Sequence, residues 1–133
     1  QQAGRALMGM PGTAVIGPSI GPCCFTVGEE VATAFAERFG PGVVLRGPVT
    51  SGATVGGVAA GGACRTGEGG DENSPRVDLW SAVAKALAEV GIHPNQVVNP
   101  RICTACNTHL FYSYRAEGPV TGRHGCLGWV AAK

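Results

Sequence analysis

The segment between residues 47 and 74 is the feature that most restricts how this sequence can fold. It holds nine of the 22 glycines, with pairs at 56–57, 61–62 and 69–70, and almost no large apolar side chains. Such a segment buries too little apolar surface to offset the entropy lost on ordering. No Gly-Lys-Ser/Thr motif follows these glycines, so a phosphate-binding loop is disfavoured. We therefore expect a mobile loop or insertion at 47–74.

The length and charge of the chain limit the classes of protein to which it can belong. A chain of 133 residues fits a single domain, 1–133, with a core of its own. The 10 Lys+Arg against 9 Asp+Glu give a formal net charge of +1 without a basic run, which disfavours nucleic-acid binding. No apolar run approaches the ~20 residues that span a membrane, and no secretion signal opens the chain. We expect a cytoplasmic protein whose N-terminus is truncated.

Apolar periodicity on both sides of the Gly-rich segment indicates alternating strands and helices. An apolar residue recurs every fourth position between Gly28 and Phe39, and Gly40-Pro41 ends that pattern. Asp78 is a typical N-cap for a second helix that Gly91 closes. Short β-prone runs lie at 13–16, 43–45, 96–98, 110–114 and 127–131. The sequence therefore predicts a mixed α/β fold.

Two cysteines and two histidines in the last third of the chain form its most conspicuous chemical pattern. Cys103 and Cys106 make a C-x-x-C pair, with His109 and His124 further along. Thiolates and imidazoles can bind zinc tetrahedrally, but no second pair follows at the usual spacing. A redox C-x-x-C pair would open a helix after a strand, which is not the pattern here. Small, buried, reduced cysteines are the preferred interpretation, with a metal site at these four residues as the alternative.

An adjacent cysteine pair follows a loop shaped by glycine and proline. Cys23 and Cys24 come directly after two Gly-Pro pairs, and Gly21 allows the backbone to approach a ligand closely. Neither thiol has a histidine nearby in sequence to act as a base, so a nucleophilic role is disfavoured. We expect one side chain to face a binding pocket and the other to pack inward.

Two arginines near the end of the chain are candidates for anion binding. Arg115 follows Tyr114, and Arg123 follows a Gly-Pro turn together with Thr121. Guanidinium groups recognise phosphate with a fork of parallel hydrogen bonds. Bracing of neighbouring loops is the alternative role for both arginines.

These segments resemble the laccase-domain (polyphenol oxidase) family, now regarded as purine nucleoside phosphorylases. The run from Ile16 to Phe25 is similar to the family's Gly-Pro-x-Ile-Gly-x-Cys-Cys-aromatic signature. Further similarity follows in the family's order at 78–92, at 103–104, at 111–115, at 121–123 and at 128–130. The resemblance implies a layered sheet-and-helix sandwich, of which this chain is the C-terminal portion.

The resemblance also implies an activity and a cofactor. The family cleaves adenosine, inosine, guanosine and methylthioadenosine with phosphate, deaminates adenosine, and binds zinc through one Cys and two His. Those ligands belong to Thr-Ala-Asp-Cys and His-Ala-Gly-Trp-Arg-Gly motifs, which do not occur in this sequence. We expect zinc in the intact protein with ligands outside this chain, and Gly21, Cys23, Cys24, Tyr114, Arg115 and Arg123 beside the pocket for nucleoside and phosphate.

Two other functions remain as alternatives. The older family name suggests a copper-dependent phenol oxidase, but three histidines are few for a multicopper site. The second alternative is a non-catalytic fragment that binds a metal or a partner.

Overall fold

The computed structural model describes residues 12–47 and 73–127. Most of the predicted Gly-rich loop and the predicted strand beyond residue 127 lie outside these ranges. Within them the strands are β1 (Ala14–Val15), β2 (Val44–Leu45), β3 (Arg76–Val77) and β4 (Val97–Val98), and the α-helices are α1 (Glu29–Phe39), α2 (Leu79–Glu89) and α3 (Tyr114–Glu117). Single 3-10 turns at Pro41–Val43 and Pro94–Gln96 precede β2 and β4. Helices and strands are interleaved, which confirms the mixed α/β class.

A parallel pairing joins the beginning of the chain to its last third. β1 pairs with β4 in the register Ala14↔Val97 and Val15↔Val98. The same direction continues to an isolated bridge between Ser19 and Cys103. Parallel neighbours need a long crossover connection, and here the connection includes both long helices. This pairing carries the loop from Gly17 to Cys24, called the Gly-Pro loop, to the C-x-x-C segment at 103–106.

An antiparallel arrangement forms the other sheet. β2 precedes the Gly-rich segment and β3 follows it, and the two strands pair with each other. On its other side β3 makes an isolated bridge from Arg76 to Thr26. The most deeply buried side chains of the described residues, Val43 and Val77, lie here at 0% exposure.

The two long helices form as their sequence patterns predict. At the start of α2 the Asp78 side chain accepts hydrogen bonds from the Ser81 amide at 3.1 Å and the Ser81 hydroxyl at 2.7 Å. Gly40 and Gly91 adopt positive φ angles of 84° and 86° after α1 and α2, which L-residues with a Cβ rarely do. In the part of the chain that the structure describes, no helix is long and apolar enough to cross a membrane.

The predicted aromatic strand at 110–114 is wrong. The Asn107 carbonyl accepts hydrogen bonds from the Leu110 and Phe111 amides, both at 3.0 Å, which makes a turn. The Ser113 carbonyl then accepts from the Glu117 amide at 2.8 Å, and α3 begins at Tyr114. Aromatic content favours a strand, but local amide-to-carbonyl bonds satisfy this backbone without a neighbouring strand.

Candidate metal centre and anion-binding surface

Four cysteines from two distant parts of the sequence meet in one cluster. The Sγ atoms of Cys23, Cys24, Cys103 and Cys106 all lie within 4.8 Å of one another. The Sγ of Cys106 is 3.6 Å from that of Cys23 and 3.4 Å from that of Cys24. Both separations exceed the ~2.05 Å of a disulfide bond. Cys103 is buried and the other three are half-buried, so the cluster is close enough and enclosed enough to bind one metal ion.

Backbone pairing brings the two halves of this cysteine cluster together. The Ser19 amide donates to the Ile102 carbonyl at 3.2 Å, and the Thr104 amide donates to the Ser19 carbonyl at 3.1 Å. Gly21, shortly after Ser19 in the sequence, then lies beside Cys103, which is paired with Ser19. The Gly21 amide donates to the Cys103 sulfur at 3.2 Å.

Turn geometry explains how adjacent cysteines can serve one site. The Cys24 and Phe25 amides both donate to the Gly21 carbonyl at 3.0 Å, so residues 22–24 form a turn. Side chains alternate sides in a strand but need not do so in a turn. Both sulfurs of the pair can therefore approach Cys106.

The indole of Trp80 packs behind the cysteine cluster. Trp80 is 6% exposed, forms a buried cluster with Cys103 and Ala105, and donates from Nε1 to the Ser19 hydroxyl at 2.7 Å. A Cβ at Gly21 would lie 2.7 Å from Cη2 of Trp80 and 3.1 Å from the Cys103 Cβ. Gly21 is therefore required for close packing of the loop against the indole, and the side where its side chain would lie is filled.

The arginine predicted at position 115 contacts the end of the Gly-Pro loop. Arg115 donates from Nη1 to the Thr26 carbonyl at 2.7 Å, and its guanidinium carbon lies 5.3 Å from the centre of the Phe25 ring. The side chain is exposed, as is the neighbouring Tyr114. Arg115 thus brings the C-terminal segment to the loop while part of its guanidinium still faces solvent.

A carboxylate organises the segment that carries the second arginine. Glu117 accepts from the Ser113 amide at 2.6 Å and from the Thr121 hydroxyl at 2.8 Å. These hydrogen bonds, the backbone one first, hold the pKa of Glu117 below its ordinary value. Arg123 is exposed and donates to carbonyls of its own segment, at 2.9 Å to Gly122 and 3.3 Å to Thr121.

The histidines lie apart from the cysteine cluster. Exposed His109 and His124 are not among its ligand atoms, so the alternative of a metal site made by these two histidines with Cys103 and Cys106 is wrong. The His124 ring packs edge-on against Phe111 with the ring centres 5.8 Å apart. The side chain of His93 accepts from the Asn95 amide and caps a 3-10 turn. Sequence spacing identified each cysteine pair but not the contact between the pairs, whose members lie 82 and 83 residues apart at Cys106.

This mixed α/β chain joins a Gly-Pro-Cys-Cys loop to a C-x-x-C segment, and that combination has known relatives. A family model described as multi-copper polyphenol oxidoreductase laccase matches residues 9–131. The chain therefore belongs to this laccase-domain family, as its motifs predicted.

Relatives in this family carry the name of a nucleoside-cleaving enzyme. The chain is 27% identical over 123 residues to the purine nucleoside phosphorylase LACC1 of Homo sapiens, covering 90% of this chain and 23% of that protein. It is 29% identical over 108 residues to the purine nucleoside phosphorylase YlmD of Geobacillus stearothermophilus, covering 81% and 32%. The crystal structure of YlmD matches with a TM-score of 0.56 and 26% identity, covering 81% and 33%. The chain thus has the laccase-domain fold and spans about a third or less of these relatives.

Proposed function

We propose that the protein to which this chain belongs is a purine nucleoside phosphorylase. The proposal rests on the similarity to two proteins of that name, over 81% or more of this chain. Adenosine, inosine, guanosine and methylthioadenosine are the proposed substrates, with phosphate as the second substrate and adenosine deamination as a further activity. A phosphorolytic site must hold phosphate beside a sugar that develops positive charge while the purine leaves.

Arg115 is the better candidate for phosphate binding. Its bond to the Thr26 carbonyl and its position over Phe25 fix one side of the guanidinium beside the Gly-Pro loop. A guanidinium carries five N–H donors, so the bond to Thr26 leaves others for an anion. Arg123 bonds only to carbonyls of its own segment among the contacts of the described residues, and we propose for it a supporting role with Tyr114.

The zinc centre that the family resemblance implies does not fit the described residues of this chain. It needs one Cys and two His, whereas His93, His109 and His124 each lie outside the group of ligand atoms that the structure brings together. We propose that the catalytic zinc is bound by the part of the protein that corresponds to the rest of its relatives. The described residues form walls of the pocket. None of them takes part in a step of the reaction at that metal.

Phosphorolysis is tested with the full-length protein, inosine and phosphate. We expect hypoxanthine and ribose 1-phosphate to form in equal amounts, detected by liquid chromatography and phosphorus NMR. The control omits phosphate, and product formation should then fall to the background rate. Release of hypoxanthine at the same rate without phosphate would indicate a hydrolase and contradict the proposal.

A copper-dependent phenol oxidase is the competing function. Copper suits imidazole or thiolate ligands, and multicopper chemistry needs many of them in one place. The same preparation, loaded with copper, is therefore tested for oxidation of a phenol beside a metal-free control. We expect no copper-dependent oxidation, and phenol oxidation by the copper-loaded protein alone would favour the alternative.

A further inference from the structure

We infer that Cys23, Cys24, Cys103 and Cys106 bind one zinc ion as a structural tetrathiolate site, separate from the metal that the family resemblance implies. Zinc–sulfur bonds of about 2.3 Å place the sulfurs of a tetrahedral site about 3.8 Å apart. The two sulfur–sulfur distances at Cys106 are 3.4 and 3.6 Å, and all four sulfurs lie within 4.8 Å. Small movements of side chains therefore complete the tetrahedron.

Ligand chemistry selects the ion. Thiolates favour soft or borderline metals, and four of them in tetrahedral geometry are typical of Zn²⁺. An iron–sulfur cluster would need its irons and inorganic sulfides to fit among the four cysteines, and sulfurs within 4.8 Å of one another leave no room for them. Binding converts four thiols to thiolates and releases their protons to solvent.

The surroundings of the sulfurs match those of a metal site. The Gly21 amide, 3.2 Å from the Cys103 sulfur, donates a hydrogen bond that stabilises a thiolate. The Asn107 side-chain amide donates to the Cys103 carbonyl at 2.8 Å and fixes the start of the C-x-x-C turn. Trp80 closes the inner side of the cluster. These contacts orient the ligands before an ion binds.

The site is structural because its coordination is complete. A catalytic zinc keeps one position open for water or substrate, whereas four protein thiolates fill a tetrahedron. The ion would connect the 23–24 turn to the 103–106 turn, in addition to the bridge at Ser19 and Cys103 and the bond from the Gly21 amide to the Cys103 sulfur. Cys23 and Cys24 then serve the metal, and the loop presents other atoms to the substrate pocket.

Zinc content and X-ray absorption test the site directly. The chain, purified under reducing conditions with Zn²⁺ supplied and the excess removed, should hold one zinc per chain. The zinc absorption edge should indicate four sulfur neighbours at about 2.3 Å. Replacement of zinc by Co²⁺ should give the intense visible bands of a tetrahedral cobalt thiolate. Reduced chain without bound zinc, or zinc surrounded by nitrogen and oxygen, would overturn the assignment.

Single substitutions assign the ligands. Cys106→Ser removes the sulfur that lies 3.6 Å from that of Cys23 and 3.4 Å from that of Cys24, and zinc affinity should fall by more than the ~10–100-fold typical of losing an outer-shell partner. Exposed Cys126, outside the cluster, provides the matched control Cys126→Ser, which should bind zinc as the unmodified chain does. Equal zinc loss in both variants, or in neither, would contradict the assignment. The absorption measurement on the unmodified chain stands even if Cys106→Ser folds poorly.

Discussion

The cysteine cluster and the arginine-bearing segment at 111–127 contact the same Gly-Pro loop, but they are built differently. Around the cysteines, long-range backbone pairing and the buried Trp80 fix the loop from inside. In the arginine-bearing segment most side chains are exposed, and their hydrogen bonds are mainly to neighbours in sequence. The first region therefore provides rigidity, and the second provides polar groups that remain accessible to a ligand.

Removing the indole behind the cysteines should have the largest effect on stability. Trp80→Ala leaves a cavity against the cluster and removes the bond to Ser19, so we expect a loss of about 3–5 kcal/mol in the free energy of unfolding. Denaturant unfolding measures this change. The matched control is Leu110→Ala in the second region, where the side chain is 67% exposed and the change should stay within about 0.5 kcal/mol. Similar losses in both variants would contradict the difference between the regions.

The same substitution, glycine to alanine, should have different effects at the two glycines of the Gly-Pro loop. Gly21→Ala places a Cβ 2.7 Å from Trp80, so we expect destabilisation of about 1–3 kcal/mol and weaker zinc binding. Gly17→Ala is the control, because no atom lies within 4 Å of its added Cβ. Denaturant unfolding and zinc titration compare the two variants. An unchanged Gly21→Ala variant would show that the loop is not closely packed there.

Loss of the guanidinium at position 115 should affect catalysis more than folding. Under the proposed phosphorylase function, Arg115→Ala should raise KM for phosphate by roughly tenfold or more, since bonds to charged groups contribute about 1.5–3 kcal/mol. Steady-state kinetics at varied phosphate measure this effect. Arg46→Ala removes an exposed arginine that pairs with Glu29 instead, and it should leave KM unchanged. A phosphate KM unaffected by Arg115→Ala would exclude Arg115 as the phosphate ligand.

The smallest expected effect concerns acid titration of the second region. The pKa of Glu117 is lowered by the Ser113 amide and the Thr121 hydroxyl, so its contribution to stability is present above its unfolded pKa. That contribution is lost as pH falls through the lower, folded value. NMR titration of the carboxyl carbon should give a pKa below that of an unpaired glutamate. Thr121→Ala should move it partly back, and an ordinary Glu117 pKa in the unmodified chain would contradict the hydrogen bonds.

Local signals predicted the helices, while the site depended on long-range pairing. The cap at Asp78 and the stop at Gly91 are short-range signals, and α2 forms between them. The strand predicted at 110–114 was wrong. Aromatic residues favour strands, but amides of this run donate hydrogen bonds to carbonyls nearby in sequence. The meeting of Cys24 with Cys106 had no local signal, since parallel pairing between distant segments creates it.

Hydrogen exchange with and without a zinc chelator tests most directly whether metal ties the loop to the C-x-x-C segment. In the zinc-bound chain, the amides of Cys24, Phe25 and Thr104 should exchange slowly because each donates to a carbonyl of the loop. Chelation should accelerate all three together while the Glu117 amide of α3 keeps its rate. Unchanged exchange of the three amides after complete removal of zinc would contradict the account.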